Sequence, residues 1–248
     1  MGQDTSDWVD NQLRERQKPY GSPIMCQCWR KLLFLHWKCD PDEIGPRLPV
    51  GLSLDLFHGA AWVGIVPFFM RSVRPVWSPS IPGISNFLEI NLRTYVRDRN
   101  NRPGVWFFSL DANQPLAVWF GRLFFSLPYV AAKMRARTTP ENWIKYESYR
   151  AGVSLEYQYR PSGEPFEAEL GSLEFFLLER YRLFASRGGV LFSGRVYHAP
   201  YQLSSVSVDR QDAGLFGLNG LSIPNGEAEH LIYAPGVDVS VYPVEHVK

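Results

Sequence analysis

The chain is poor in the features that assign a protein quickly. Only three cysteines, Cys26, Cys28 and Cys39, occur in 248 residues. That is an odd number in a chain too long to need disulfide staples, so reduced thiols in the cytoplasm are expected. Cys26 and Cys28 stand closer together than zinc ligands usually do, and no His or Cys pair follows at finger distance. No metal is therefore expected, and the two thiols read as strand residues facing opposite ways. Net charge is nearly absent: 26 basic against 25 acidic residues leave +1. That is too little to steer the chain to nucleic acid or to an anionic membrane surface, so neither is expected as a partner. No apolar h-region opens the chain, so no signal peptide is read there. The longest greasy stretch, 115–132, carries Arg122 near its centre and Pro128 further on. A charge at mid-bilayer costs roughly 2.5–3.5 kcal/mol, so a buried helix is expected in place of a membrane span.

Catalytic signatures are missing as well. There is no G-x-S-x-G elbow, no H-E-x-x-H, no P-loop and no paired CxxC. No G-x-G-x-x-G follows a strand, and no cofactor is expected. The five histidines, His36, His58, His198, His230 and His246, fall at no ligand spacing and read as hydrogen-bonded structural residues. No internal repeat is visible.

What the chain does have is apolar bulk. With 45% hydrophobic and 15% aromatic residues it can bury one sizeable core, and all-β domains of this length commonly stay undivided. Residues 1–23 are polar and read as a loose N-terminal arm with a helical turn or two, and 24–248 as a single domain. Period-two alternation marks strands: Leu88 to Val96, Ser154 to Arg160, Ile144 to Arg150, Val190 to His198 and Ser204 to Asp209 among them. Helices are fewer. Asp40-Pro41-Asp42-Glu43 reads as a helix start, with Asp40 as N-cap, Pro41 at the first helical position and Glu43 closing a capping box. A second helix is expected from about Asn113 to Phe125 and a third from Ser172 to Ala185, where Leu173, Phe176, Leu177, Tyr181 and Phe184 make an apolar stripe. Many strands with a few helices point to an α+β, mainly β, domain or a β-barrel.

One strand stands out for chemistry. Glu89, Asn91, Arg93 and Tyr95 share one face of Leu88 to Val96, and that face either meets water or lines the lumen of a small barrel. Glu89 and Arg93 lie ~13 Å apart along the strand at ~3.3 Å per residue, so they would address different ends of a ligand. Arg30, in the strand-like run Trp29 to Trp37, has the fork that suits a carboxylate.

Three segments then carry a family resemblance. They are Trp29-Arg30 through Cys39-Asp40-Pro41-Asp42-Glu43 to Leu48-Pro49-Val50-Gly51; Leu110-Asp111 to Pro115-Leu116-Ala117-Val118 with Gly121-Arg122 and Pro128; and His230-Leu231-Ile232-Tyr233-Ala234-Pro235-Gly236-Val237-Asp238. Together they resemble the acetoacetate decarboxylase-like superfamily, and more closely its uncharacterised YqjF-like family. The resemblance implies a closed or nearly closed β-barrel with a few flanking helices and a buried cavity walled by Arg30 and Glu89. It also implies a lysine nucleophile directly after the proline, followed by a second lysine. Here those positions are Tyr129 and Val130, and neither forms a Schiff base. Lys133 lies ~13 Å beyond Tyr129 in an extended chain, too far to substitute.

The resulting expectation is an enzyme on a small carboxylated or carbonyl compound, with Arg30, Arg93 and Tyr95 binding the ligand and Glu89 and Tyr129 doing the chemistry. The alternative is a module that binds a metabolite without transforming it. Homo-oligomer contacts through Trp77, Trp106 and Trp119 are a third reading, although such residues usually belong to a core.

Overall fold

A computed structural model of the chain describes residues 5–247. Its frame is a ring of strands. β1 (Met25–Cys39) lies between β3 (Ala61–Pro75) and β13 (His230–Val241), and β4 (Phe87–Asp98) joins β3 to β5 (Pro103–Ala112). β10 (Arg182–Arg187) runs parallel to β5 and pairs along six residues with β11 (Val190–Tyr197). The circuit returns to β13 through Val196↔Val241 and Tyr197↔Ser240, which makes a nearly closed barrel. Past β13 the sheet continues through β12 (Leu203–Arg210), β9 (Val153–Phe166) and β8 (Ile144–Arg150) to β7 (Lys133–Thr138), forming a second layer over one side of the ring. β2 (Leu52–Leu54), β6 (Tyr129–Ala131) and β14 (Glu245–His246) are short additions.

This arrangement explains why the central stretches of β1 and β3 read as almost continuously apolar. Leu33, Leu35, Ile65, Ile90 and Leu92 face outward into a core shared with Tyr146, Tyr157 and Tyr159 of the second layer. Leu32, Phe34, Phe68, Met70 and Phe87 face inward and build the core of the ring. Both faces are dry, so neither needs the polar alternation of a surface strand.

The helices depart from expectation in three places. α3 (Pro115–Phe125) starts close to where its sequence predicts, but it is not buried: Trp119, Phe120 and Phe124 cluster with one another on the outside, and only Val118 and Gly121 are fully covered. Trp77 is likewise outside and Trp106 only partly covered, so these tryptophans are not core residues. No helix among the described residues is long and apolar enough to cross a membrane. The predicted third helix stops early as α4 (Leu173–Leu178), and its remainder is strand β10. Helical periodicity fitted both halves, but the ladder with β11 and the contact with β5 complete the ring, and tertiary pairing outweighs local pattern.

The N-terminal segment is also not loose. α1 (Thr5–Arg16) presents Trp8, Gln12 and Glu15 at helical spacing, and all three are buried. Trp8 packs edge-on against Phe57 and Phe176, Gln12 donates to the Glu179 carbonyl at 2.9 Å, and Glu15 accepts two hydrogen bonds from Arg182 at 3.1 Å. The capped turn after β1 is short. Asp40 accepts from the Asp42 amide, α2 (Pro41–Ile44) follows, and Glu43 accepts from the Ser222 amide where a capping box was expected.

Tyr146 ties the second layer to the ring, since its buried hydroxyl faces the carbonyls of Phe68 at 3.2 Å and Glu89 at 3.0 Å. Tyr146→Phe leaves those acceptors without their donor, so denaturant unfolding should show a loss of about 1–3 kcal/mol.

Candidate functional site

The inner face of β4 carries Glu89, Asn91 and Arg93 into a cavity of about 140 Å³, similar to an engineered ~150 Å³ cavity that accepts benzene. The sequence left two places open for this polar face, water or lumen, and the structure puts it in the lumen. The walls are mainly apolar, with Trp29, Phe68, Phe87, Phe107 and Phe125 prominent. Tyr129 enters from β6, and Arg180 and Arg182 from the corner between α4 and β10.

Tyr129 is placed by its neighbours in sequence. α3 ends at Ser126 in the left-handed region, Pro128 offers its carbonyl to the Leu110 amide at 3.0 Å, and β6 pairs in parallel with β5. The tyrosine ring then lies directly on Gly121, where a Cβ would stand 2.3 Å from a ring carbon, so only glycine fits. Arg122 donates to the Tyr129 carbonyl at 2.6 Å. The Gly121-Arg122 and Pro128-Tyr129 elements thus form one device for holding this side chain.

Its hydroxyl donates to Glu89 Oε2 at 2.9 Å. Glu89 is only 2% exposed. Burial pushes its carboxyl up to about 8, with Asp111 adding to the rise while hydrogen bonds from Tyr129 and Asn91 oppose it. Burial and the adjacent carboxylate push the Tyr129 phenol well above its ordinary range. Glu89 is therefore a carboxylic acid through most of the neutral range and can either give or take a proton. Asp111, one strand over, pairs with Arg150 at 2.7 Å.

Arg93 sits further along the same face and pairs with no carboxylate among the described residues. Its guanidinium stacks over Phe34 and Tyr95, at 5.4 and 5.6 Å from the ring centroids, and donates to the Tyr95 hydroxyl and the Leu177 carbonyl, each at 3.3 Å. Its Nε has no partner, and neither does Arg180 Nη2 or Asn91 Oδ1. These three buried polar atoms belong to cavity-lining residues, two on β4 and one at the corner of α4 and β10. Arg180 is otherwise neutralised by Asp55 at 2.6 Å, and Arg182 by Glu15.

Of the residues expected from sequence, Glu89, Tyr129 and Arg93 meet in the cavity. Tyr95 stands behind Arg93 and is fully buried. Arg30 does not join them. It turns outward, donating to the Val237 carbonyl at 2.8 Å and pairing with Asp238, with its side chain 39% exposed. The cause is local. Lys31 adopts φ +53°, and this irregularity resets the alternation, so that Trp29 shares the lumen with Leu32. Asn91 was visible on the polar face, but Arg180 had no signal, since it lay inside a segment with helical periodicity.

Residues 26–238 match the model of DUF2071, described as an uncharacterized conserved protein. The chain belongs to that family. Over 230 residues it is 36% identical to the uncharacterized protein YqjF of Bacillus subtilis (strain 168), covering 91% of this chain and 93% of that one. Acetoacetate decarboxylase from Legionella pneumophila subsp. pneumophila str. Philadelphia 1 superposes with a TM-score of 0.66 at 13% identity, over 94% of this chain and 90% of that one. The enduracididine biosynthesis enzyme MppR, solved in complex with pyruvate, superposes with a TM-score of 0.63 at 13% identity, over 94% and 93%. The family member described here therefore has the acetoacetate decarboxylase-like fold.

Glu89 carries a pH signature. The folded carboxyl keeps a proton that the unfolded chain releases near the ordinary glutamate value, so folding loses stability as pH rises from about 4.5 to about 8. Glu89→Gln removes this dependence. Melting temperatures of the two proteins should diverge in favour of the variant across that window, and parallel curves would show that Glu89 ionises normally.

Proposed function

We propose that this protein is an enzyme acting on a small carboxylated or carbonyl compound held in the ring cavity. The observation that carries this reading is the pairing of a protonated, tyrosine-bound Glu89 with an Arg93 that lacks a carboxylate of its own, both on one enclosed wall. Arg93 takes the carboxylate of the ligand, the part first given to Arg30. Arg180 Nη2 supplies a further donor and Asn91 Oδ1 an acceptor. At the other end the protonated Glu89 gives its proton to the carbonyl oxygen of the substrate, and Tyr129, by donating to it, stabilises the carboxylate so formed. The pyruvate complex of MppR, a protein of the same fold, supports a ligand of this size and chemistry.

The cavity has no lysine, serine or cysteine among its described lining residues, so neither a Schiff base nor a serine or cysteine adduct can form there. The same observation favours the second reading, a module that binds the metabolite without turning it over. Three unpaired thiols suit a reducing compartment such as the cytoplasm.

Pyruvate and larger 2-oxo acids at 100-fold excess over Kd should stabilise the protein by about 2.7 kcal/mol, read as a higher melting temperature, and Arg93→Gln should abolish the shift. Where a 2-oxo acid is also consumed, followed by proton NMR, Glu89→Gln should bind it but lower kcat by about 10²–10⁴. The wild-type rate should fall as pH rises through about 8, where the acid is lost. Binding without consumption establishes the second reading, and unchanged turnover in Glu89→Gln removes Glu89 from the mechanism.

A further inference from the structure

Behind Arg93 lies a row of side chains that the proposed chemistry does not use. Arg93 Nη2 donates to the Tyr95 hydroxyl, which is 2.7 Å from His36 Nε2. His36 Nδ1 is 3.0 Å from His230 Nδ1, and His230 Nε2 is 3.5 Å from Glu174 Oε1. Tyr95 and His36 are fully buried, whereas the Glu174 side chain is 30% exposed at the edge of the barrel. β3 makes room for the row with Gly64. A Cβ there would stand 2.7 Å from His36 Cδ2 and 3.5 Å from the Tyr95 oxygen.

The chemistry of the two ends sets the direction of every bond between them. Burial, His230 and Arg93 hold His36 well below the ordinary imidazole range, and burial lowers His230 despite Glu174, so each ring carries a single proton. The Tyr95 oxygen accepts from a guanidinium that can only donate, and His36 Nε2 is the one acceptor within hydrogen-bond reach of its proton among the described residues, so the Tyr95 proton is satisfied only by going there. His36 must then hold its proton on Nδ1 and donate to His230 Nδ1. That leaves the His230 proton on Nε2, facing the Glu174 carboxylate across a 3.5 Å charge contact that falls short of a hydrogen bond. Reversal would set a bare Nε2 against the Glu174 lone pairs and leave the Tyr95 proton without this acceptor. Each link polarises the next, which makes the Tyr95 oxygen a stronger acceptor for Arg93.

We propose that Tyr95, His36 and His230 form a one-way hydrogen-bond relay that positions Arg93 in the cavity and ends against the Glu174 carboxylate at the protein surface. The role of Arg93 as carboxylate anchor rests on the function proposed above; the direction of the relay does not. The four residues are positioning residues, since none of them lines the cavity.

Ring-nitrogen spectra of ¹⁵N-histidine-labelled protein test the relay directly. Near neutral pH both rings should be uncharged, with the proton on Nδ1 of His36 and on Nε2 of His230. Glu174→Gln, a change at the surface, should move the nitrogens of both rings together while leaving thermal unfolding unchanged. A His36 proton on Nε2, a cationic ring, or a change confined to His230 overturns the relay. Pyruvate then reports on positioning. Glu174→Gln should weaken its binding about threefold and Arg93→Lys at least about tenfold. In a Tyr95→Phe background Glu174→Gln should have no further effect, and a further threefold loss there overturns the positioning role. Absence of pyruvate binding by the wild-type protein counts against the proposed function, and the nitrogen spectra still decide the relay.

Discussion

Glu89 keeps its proton near neutrality because two layers of strand separate it from water, and most of the architecture follows from covering β4 twice. Its outer face is closed by the tyrosines of the second layer, one of which bonds the Glu89 carbonyl itself. Its inner face is closed by the rest of the ring. A carboxyl placed there is costly when charged, and a guanidinium placed there demands a counter-charge. The chain answers these two demands differently. Glu89 is neutralised by its own proton under a tyrosine, whereas Arg93 is left with aromatic faces, a hydroxyl and a carbonyl.

The other buried charges show how deliberate that exception is. Arg97 and Arg180 share Asp55, Arg182 is held by Glu15 from the N-terminal helix, and Arg150 is held by Asp111. Each of these cations has its carboxylate within 3.1 Å. They therefore fix the corner of α4 and β10 and the docking of α1, each with its charge already met by a carboxylate. Arg93 is instead linked to the Glu174 carboxylate through three hydrogen bonds and a final 3.5 Å contact.

Much of this was legible in the sequence, and the failures have identifiable causes. The alternation from Leu88 to Val96 marked a strand with a polar face, but periodicity could not say whether that face met water or a lumen. Closure of the ring decides it, and closure is a long-range property. The Pro128-Tyr129 corner was legible only through family resemblance, because nothing in its local pattern announces that a glycine eight residues earlier makes space for the ring. Arg30 was misplaced by a single residue, Lys31, whose left-handed backbone shifts the phase of the strand. β10 was read as helix because Tyr181 and Phe184 continue a stripe that begins on α4, while the pairing that makes them strand residues comes from β5 and β11. The histidine row was invisible, since His36 and His230 are far apart in sequence and meet only because β1 and β13 pair in register.

The ring is not equally strong around its circumference. β1 is bound to β13 by eleven residue pairs, whereas β13 and β11 meet through two, as do β5 and β10. At about 1 kcal/mol net for each hydrogen bond, either short junction can part at a small fraction of the cost of opening any long ladder. The β10–β11 hairpin thus closes the ring as a bridge held by only two residue pairs at each end, so the circumference is stitched most lightly on the side opposite the long β1, β3 and β4 ladders.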